Sequence, residues 1–422
     1  MSNQRESSQE HWVVLGSANG STNLGDESMW EATVQELRRV RGPVHVYTDG
    51  HPAFDAPMSN VTVLPYLHSI LRRGSGLVPA LAERAISYPG RNTYALRRAA
   101  KLATDWSTER LAAQWRAAIA NSVGVIVSGA GAVTDDYAAH GVAAWSLIAR
   151  WAQEMAKPVG FLGQGVGPLS SPRVRAEAKV MLEIASAINV REAGSVEVIR
   201  GLGVRKAVSL SPDWAILNEP EVHDREVASE LAHQLFDGKP FFALSWHRRH
   251  NTSRRDIAQL SKFGELFVRR ALDDRMGVAF LPNMIATGYS DDRATFDLVA
   301  STWGSAAREA VKVIRTPIGS RASRAFLGLA IGVVATRYHP LVLSLAEQTP
   351  CVGISYDEYY DQKLRGASAL FGLSQNVLPL ASVEADDVLR CLEASHPLEV
   401  TSELDGNRLA LADFVSVCTE RG

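Results

Sequence analysis

The sharpest chemical signal in the sequence is Thr336-Arg337-Tyr338-His339-Pro340. It closes an apolar strand within 325–346, a stretch that carries no Asp, Glu, Lys or other Arg. Arginine offers a planar fork for carboxylate or phosphate, and histidine exchanges protons near neutrality. Desolvating an unpaired arginine costs several kcal/mol, so Arg337 needs an anion beside it. That anion is either a ligand or an internal Asp. In the second case a backbone carbonyl would satisfy His339.

Three glycine-rich turns stand at successive strand ends. The first is Gly16-Ser17-Ala18-Asn19-Gly20-Ser21-Thr22-Asn23-Leu24-Gly25-Asp26-Glu27. It reads equally well as an anion cradle at a helix start or as a turn whose Asn23 or Asp26 caps the helix. Its spacing matches neither the dinucleotide fingerprint nor the P-loop. The second, Ser128-Gly129-Ala130-Gly131-Ala132-Val133-Thr134-Asp135-Asp136, has Thr134 where the fingerprint requires glycine. The third is Gly163-Gln164-Gly165-Val166-Gly167-Pro168. Such loops converge on one edge of a sheet, so three together imply one crevice.

Asp135-Asp136 lacks companions at ligand spacing, so capping or solvation is expected there and no metal site. His247-Arg248-Arg249-His250 follows another apolar strand. Its arginines disfavour a cation and suit an anion pocket, with an exposed basic turn as the equal alternative. Tyr356-Asp357-Glu358 ends a further strand and by itself reads as a turn.

These residues need strand ends to hold them, and the chain supplies a regular alternation of short β-branched runs with helical patterns. Strands are expected at 12–15, 44–47, 61–64, 124–127, 158–162 and 188–190, then at 241–246, 278–281, 311–314, 333–336 and 351–355. A polar segment at 218–224 separates the two series. The expectation is an α/β protein with two Rossmann-like domains, 1–220 and 221–422. A helical insertion is expected at about 67–122 and a last helix at 404–417.

With 422 residues, the chain is long enough for two large cores. Its 44 Lys and Arg against 46 Asp and Glu leave a net charge of −2, so no global field attracts nucleic acid. The nine tryptophans lack the basic interleaving of a nucleic-acid platform. Three widely spaced cysteines fit a reducing compartment. The polar start at 1–11 is unlike a signal peptide, and no apolar run is long enough to span a bilayer. A soluble cytoplasmic protein is expected. The absence of a Gly-x-Ser-x-Gly elbow leaves covalent acyl transfer unsupported.

Together, Asn23-Leu24-Gly25-Asp26-Glu27, the loop ending in Asp135-Asp136, and Gly163-Gln164-Gly165-Val166-Gly167-Pro168 resemble the polysaccharide pyruvyl transferase family. Val190-Arg191-Glu192 with Ser195, Ser211-Pro212-Asp213, Arg337-Tyr338-His339, and Pro350-Cys351-Val352-Gly353-Ile354-Ser355-Tyr356-Asp357 extend the resemblance. It implies a glycosyltransferase-B-like fold, with the acceptor on the N-terminal side and phosphoenolpyruvate on the C-terminal side. It also implies transfer of a pyruvyl group to two hydroxyls of one sugar as a ketal. Phosphoenolpyruvate is then the donor substrate, and no cofactor is expected. The acceptor is a sugar that is free, nucleotide-linked or lipid-linked, and the last would bring the protein to the inner membrane face.

The resemblance assigns phosphoenolpyruvate binding and acid–base work to Arg337 and His339, and Asp26 joins them in the expected catalytic set. Arg337 and Arg248 bind the donor anion, His339 acts as acid or base, and Asp26 activates or positions the acceptor. Asn23 and Gln164 would orient that acceptor. Gly25, Gly131, Arg191, His247, Tyr356 and Asp357 complete the expected substrate-binding set. Ala130 stands in place of a glycine, and Pro340 follows His339 where a small residue is common. The lysine often found just after Tyr-Asp is absent, Glu358 and Tyr359 following instead, and the role of Lys363 stays open. A nucleotide-sugar glycosyltransferase using Asp357-Glu358 is the first rival reading. A dinucleotide enzyme using Asp49 is weaker, and a catalytically silent sugar-binding protein is the non-enzymatic alternative.

Overall fold

The structure, a computed structural model, describes residues 10–16, 23–49, 59–65, 67, 108–249, 252–285, 291–398 and 404–420. Most of the expected insertion, the loop residues 17–22 and His250 lie outside them; of the insertion, the helix Thr108–Ala120 is described.

The first sheet contains β1 (His11–Leu15), β2 (His45–Asp49), β3 (Val61–Leu64), β4 (Val125–Val127), β5 (Val159–Gln164), β6 (Ala187–Val190) and β7 (Ser209–Leu210). Their order is β3-β2-β1-β4-β5-β6-β7, and every pairing is parallel. The second sheet contains β8 (Phe241–Ser245), β9 (Gly277–Phe280), β10 (Val311–Val313), β11 (Gly332–Ala335), β12 (Cys351–Ser355) and β13 (Val377–Pro379). It runs β10-β9-β8-β11-β12-β13 and is also parallel. The central strands are runs of Val, Ile, Leu, Phe and Ala because helices cover both faces and leave no solvated side to alternate toward. Each expected strand coincides with an observed one. β7 and β13, only two and three residues long, were not expected, since such short edge strands carry almost no periodicity.

Each sheet reverses its strand order once, between β1 and β4 and between β8 and β11. Ligands in such sheets bind outside the carboxyl ends of the strands at this switch point. The Asn23–Asp26 turn and the Ser128–Gly131 turn follow β1 and β4; His247 and the Thr336–His339 turn follow β8 and β11. The chemically suggestive loops therefore stand at the two switch points.

The two sheets do not stand apart. Asn23 forms an antiparallel bridge with Met284, and Leu24 N donates to the Asn283 carbonyl at 3.0 Å. One apolar cluster joins Trp12, Trp30 and Trp214 to Phe326, Tyr338 and Leu341. The last helix, Leu404–Glu420, was expected with the second domain but lies against the first sheet. Phe414 faces Gly160 and packs edge-on against Trp12, with ring centroids 6.4 Å apart. Its apolar stripe, with Leu411, Phe414 and Val415 buried, covers a sheet face that the N-terminal helices leave open.

Candidate functional site

The helix Leu24–Arg41 starts at the carboxyl end of β1 and brings Gly25 and Asp26 to the cleft. A Cβ on Gly25 would sit 1.9 Å from His339 Nδ1, so the histidine ring of the second unit fills the space that glycine leaves in the first. Asp26 accepts a hydrogen bond from Asn23 Nδ2 at 2.6 Å. Asn23 Oδ1 in turn accepts from Asn283 Nδ2 at 3.1 Å, tying the turn to the end of β9. Burial pushes the Asp26 carboxyl up to about 6, against the pull of Arg191 and Lys363. The cap alternative fails for Asn23, which stands at the N-cap position without a side-chain cap bond.

Arg191 follows β6 and is 1 % exposed. Its guanidinium donates to Asp213 Oδ2 at 2.8 Å and to Glu192 Oε2 at 3.2 Å, and it lies 4.3 Å over the Tyr338 ring. Asp213 caps the turn Trp214–Leu217 through Ala215 N at 2.8 Å. Its Oδ2 also stands 3.8 Å from His339 Nε2. That nitrogen is buried and has no hydrogen-bond partner among the described residues. The alternative in which a backbone carbonyl satisfies His339 is therefore not what the described residues form. Burial, with Arg191, Lys363 and Arg337 nearby, holds the imidazole well below its usual pKa and neutral at pH 7.

Lys363 lies on the helix Glu358–Ala369 behind β12. Its ammonium faces the rings of Tyr338, Tyr359 and Tyr360 at 5.2, 5.8 and 5.9 Å. No hydrogen bond or ion pair engages it among the described residues. Burial lowers its pKa. A Cβ on Gly131 would lie 2.9 Å from Lys363 Nζ and 3.1 Å from Arg191 Nη2. Two cations thus face a bare glycine from opposite units, and this is the geometry of an anion seat.

Other expected site residues are already engaged. Arg337 forks onto the buried Asp292, Nε at 2.9 and 3.1 Å and Nη2 at 2.5 Å, which is the internal-partner alternative. Asp292 also accepts the N–H groups of Asn283 and Met284 at 3.0 and 2.9 Å. His247 was expected to bind substrate, but both ring nitrogens are occupied, by Thr336 Oγ1 at 2.9 Å and Tyr360 Oη at 3.0 Å. Tyr356 donates its hydroxyl to the His247 carbonyl. These two residues bind the ends of β8, β11 and β12 together.

Gln164 is fully buried and its amide nitrogen donates to the carbonyls of Val127 and Ser128 at 2.9 Å each, which ties it to the end of β4. Asp357 caps the helix Glu358–Ala369 through Tyr360 N and pairs with Arg249 at 3.1 Å, as a turn residue would. Arg249 reaches Asp136 as well, at 2.6 Å, and so bridges the units. Asp135 accepts from Ser170 N at 2.5 Å and Ser171 N at 3.3 Å, in the loop ahead of the helix Pro172–Ile184. Arg248 is half-buried, and its buried Nε has no hydrogen-bond partner among the described residues.

Comparison with known proteins adds a family to this geometry. Residues 23–358 match the model of the polysaccharide pyruvyl transferase family. The chain belongs to that family. No curated protein matches the pyruvyl transferase chain as a relative by sequence. Among solved structures, the UDP-GlcNAc 2-epimerase of Methanocaldococcus jannaschii superposes with a TM-score of 0.54 at 11 % identity. That alignment covers 91 % of this chain and 92 % of that one. The UDP-GlcNAc 2-epimerase of Neisseria meningitidis bound to UDP-GlcNAc gives 0.51 at 12 % identity, covering 98 % and 99 %. At such identities the likeness is one of fold, the glycosyltransferase-B-like pair of Rossmann-like units.

Sequence reasoning left several residues of this chain without a role. Asp213 and Glu192 stood in quoted motifs, and their adjacency to Pro212 and Arg191 was the only signal. Asp292 opens a helix within an ordinary acidic pair, and nothing local links it to Arg337. Lys363 sits six residues beyond Asp357, where helical periodicity returns it to the cleft face only once the helix start is known. Among the described residues no helix is long and apolar enough to cross a membrane.

Proposed function

We propose that the protein transfers the pyruvyl group of phosphoenolpyruvate onto two hydroxyls of one sugar, forming a ketal in polysaccharide or glycoconjugate synthesis. The observation that carries this reading is the pair of cations, Arg191 and Lys363, facing bare Gly131 beside a neutral His339 and a raised Asp26. Phosphoenolpyruvate bears a carboxylate and a phosphate on three carbons, and two or three convergent cations suit it. Arg191, Lys363 and Arg248 hold these anionic groups. Arg337, held by Asp292, contributes positive field and does not offer a free fork.

One proton reaches the methylene carbon, which becomes the methyl group, and the adjacent carbon takes on oxocarbenium character. A sugar hydroxyl adds there and gives up its proton. A second hydroxyl then displaces phosphate, closing the ketal, and its proton leaves with base or phosphate. Overall, the enol phosphate and a diol become a ketal and inorganic phosphate. In this reading His339 exchanges these protons, and Asp26 with Asn23 positions the acceptor. We infer a cytoplasmic enzyme, since Cys351, Cys391 and Cys418 are widely spaced and form no disulfide, and its acceptor sugar is free, nucleotide-linked or lipid-linked.

The test is phosphate release from phosphoenolpyruvate with candidate acceptors, alongside mass spectrometry for a pyruvyl increment. His339→Ala should lower the rate roughly 10²- to 10⁴-fold while the protein stays folded. Near-normal turnover in that variant would sink the assignment of His339. Thermal stabilisation by nucleotides but not by phosphoenolpyruvate would reject pyruvyl transfer.

A further inference from the structure

The two nitrogens of His339 are in different surroundings. Nδ1 lies over Gly25, at the start of the helix Leu24–Arg41 and beside Asp26. Nε2 is enclosed, unpartnered among the described residues, and faces Asp213 Oδ2 at 3.8 Å. Asp213 itself is 2 % exposed and anchored at both oxygens, by Ala215 N and by Arg191 Nη1, each at 2.8 Å. A carboxylate fixed in this way cannot swing toward solvent. A buried ring nitrogen less than an ångström beyond hydrogen-bond range is the kind of contact that tightens when substrate closes a site.

We propose that Asp213 is the positioning residue of His339, accepting the Nε2 proton so that Nδ1 is the basic nitrogen presented to the cleft over Gly25.

The chemistry is that of an orienting carboxylate behind a catalytic imidazole. A neutral imidazole carries one N–H, and its tautomer is set by the hydrogen bond the other nitrogen makes. With Nε2–H aimed at Asp213, the lone pair sits on Nδ1. When Nδ1 takes a proton, the Asp213 carboxylate stabilises the imidazolium. The groups facing the ring oppose one another. Arg191 from the end of β6, Lys363 from the helix behind β12 and Arg337 beside the ring all disfavour the cation. Asp26, and Glu192 beyond Arg191, carry the opposite sign. Of the carboxylates, Asp213 is the one the structure sets against Nε2. Arg191 then has two roles, fixing Asp213 and facing the anion seat. A donor anion that draws the guanidinium toward Gly131 would weaken its hold on Asp213 and free Oδ2 to accept from His339.

The tautomer tests this without turnover. In protein carrying ¹⁵N-labelled histidine, with the His339 resonances identified by their loss in His339→Gln, the neutral ring should bear its proton on Nε2. A ring protonated on Nδ1 would overturn the proposal. In Asp213→Asn, the loss of a negative charge beside the ring should move the His339 titration lower by about one pH unit. The acid limb of the kcat profile should follow, with kcat reduced roughly 10²- to 10⁴-fold and the donor KM changed less. If folded Asp213→Asn keeps the native tautomer and titration, Asp213 is merely a structural partner of Arg191, and the proposal falls. The kinetic arm rests on the pyruvyl-transfer reading, whereas the tautomer arm does not. A protein that releases no phosphate but shows Nε2–H lost on Asp213→Asn would refute the former and keep the latter.

Discussion

At the linker, Asn218 donates to Glu31 Oε2 at 2.6 Å and to Ser320 Oγ at 3.1 Å while its carbonyl oxygen accepts from Arg321 at 2.8 Å. Arg324, almost equally buried, spends its guanidinium on Glu347 at 2.7 Å and the Ile216 carbonyl at 2.6 Å. In the cleft, the same kinds of side chain bridge the same two units, yet His339 Nε2 has no partner among the described residues. Buried polar groups left unspent cost stability unless something else compensates them. The linker cluster holds the domains together. On the proposed function, the cleft cluster keeps part of its hydrogen-bonding capacity for a ligand.

That contrast can be broken experimentally. The largest effect is expected from Arg324→Ala, which removes the donor to the Ile216 and Asn218 carbonyls and one of the two arginine partners of Glu347, and should cost about 3 kcal/mol in denaturant unfolding. Its kcat per folded molecule should hardly change. Lys363→Met should do the reverse, with kcat/KM falling roughly 10²- to 10³-fold because an anion-binding cation is lost. Its unfolding midpoint should stay level or rise, since burial already disfavours the ammonium. If Lys363→Met unfolds as easily as Arg324→Ala, the distinction between the two clusters collapses.

Gly25→Ala sharpens it further. The added methyl group would drive the His339 ring from its place, and displacement on the ångström scale should cost roughly 10²-fold in turnover. Saturation with phosphoenolpyruvate should not restore the rate. The smallest effect concerns Asp26, whose carboxyl burial pushes up from the usual 3.8 to about 6. Relative to the unfolded chain, its ionisation destabilises the fold. Stability from this group is therefore complete below pH ~4 and lost as the pH rises through about 6. Asp26→Asn should raise the Tm by about 2–4 °C at pH 7.5 and not at pH 4, while lowering activity. An equal gain at both pH values would show that the carboxyl is not strained by burial.

Much of this was legible before any coordinates. The apolar runs located the central strands, because a parallel sheet covered on both faces leaves a continuous hydrophobic signature. The glycine turns and the Arg337–His339 turn marked the strand ends that flank both switch points. Gln164 and His247 misled because their motifs do fall at those ends. There, however, the side chains turn inward to satisfy carbonyls and hydroxyls, an orientation that residue type does not encode. Arg337 was correctly read as needing an anion, but Asp292 lies 45 residues away in sequence.

The sequence by itself determined the βα alternation, the two-unit architecture and the residue types able to handle a small anion, since these follow from local periodicity and side-chain chemistry. Tertiary structure alone decided which of those residues are spent and which are kept free. Arg191 and Lys363 meet across Gly131, Asp213 stands behind His339, and Gly25 makes room for the ring because chain segments far apart in sequence are packed together. Whether a buried charge is a structural tie or a binding group depends on the partner that packing places beside it.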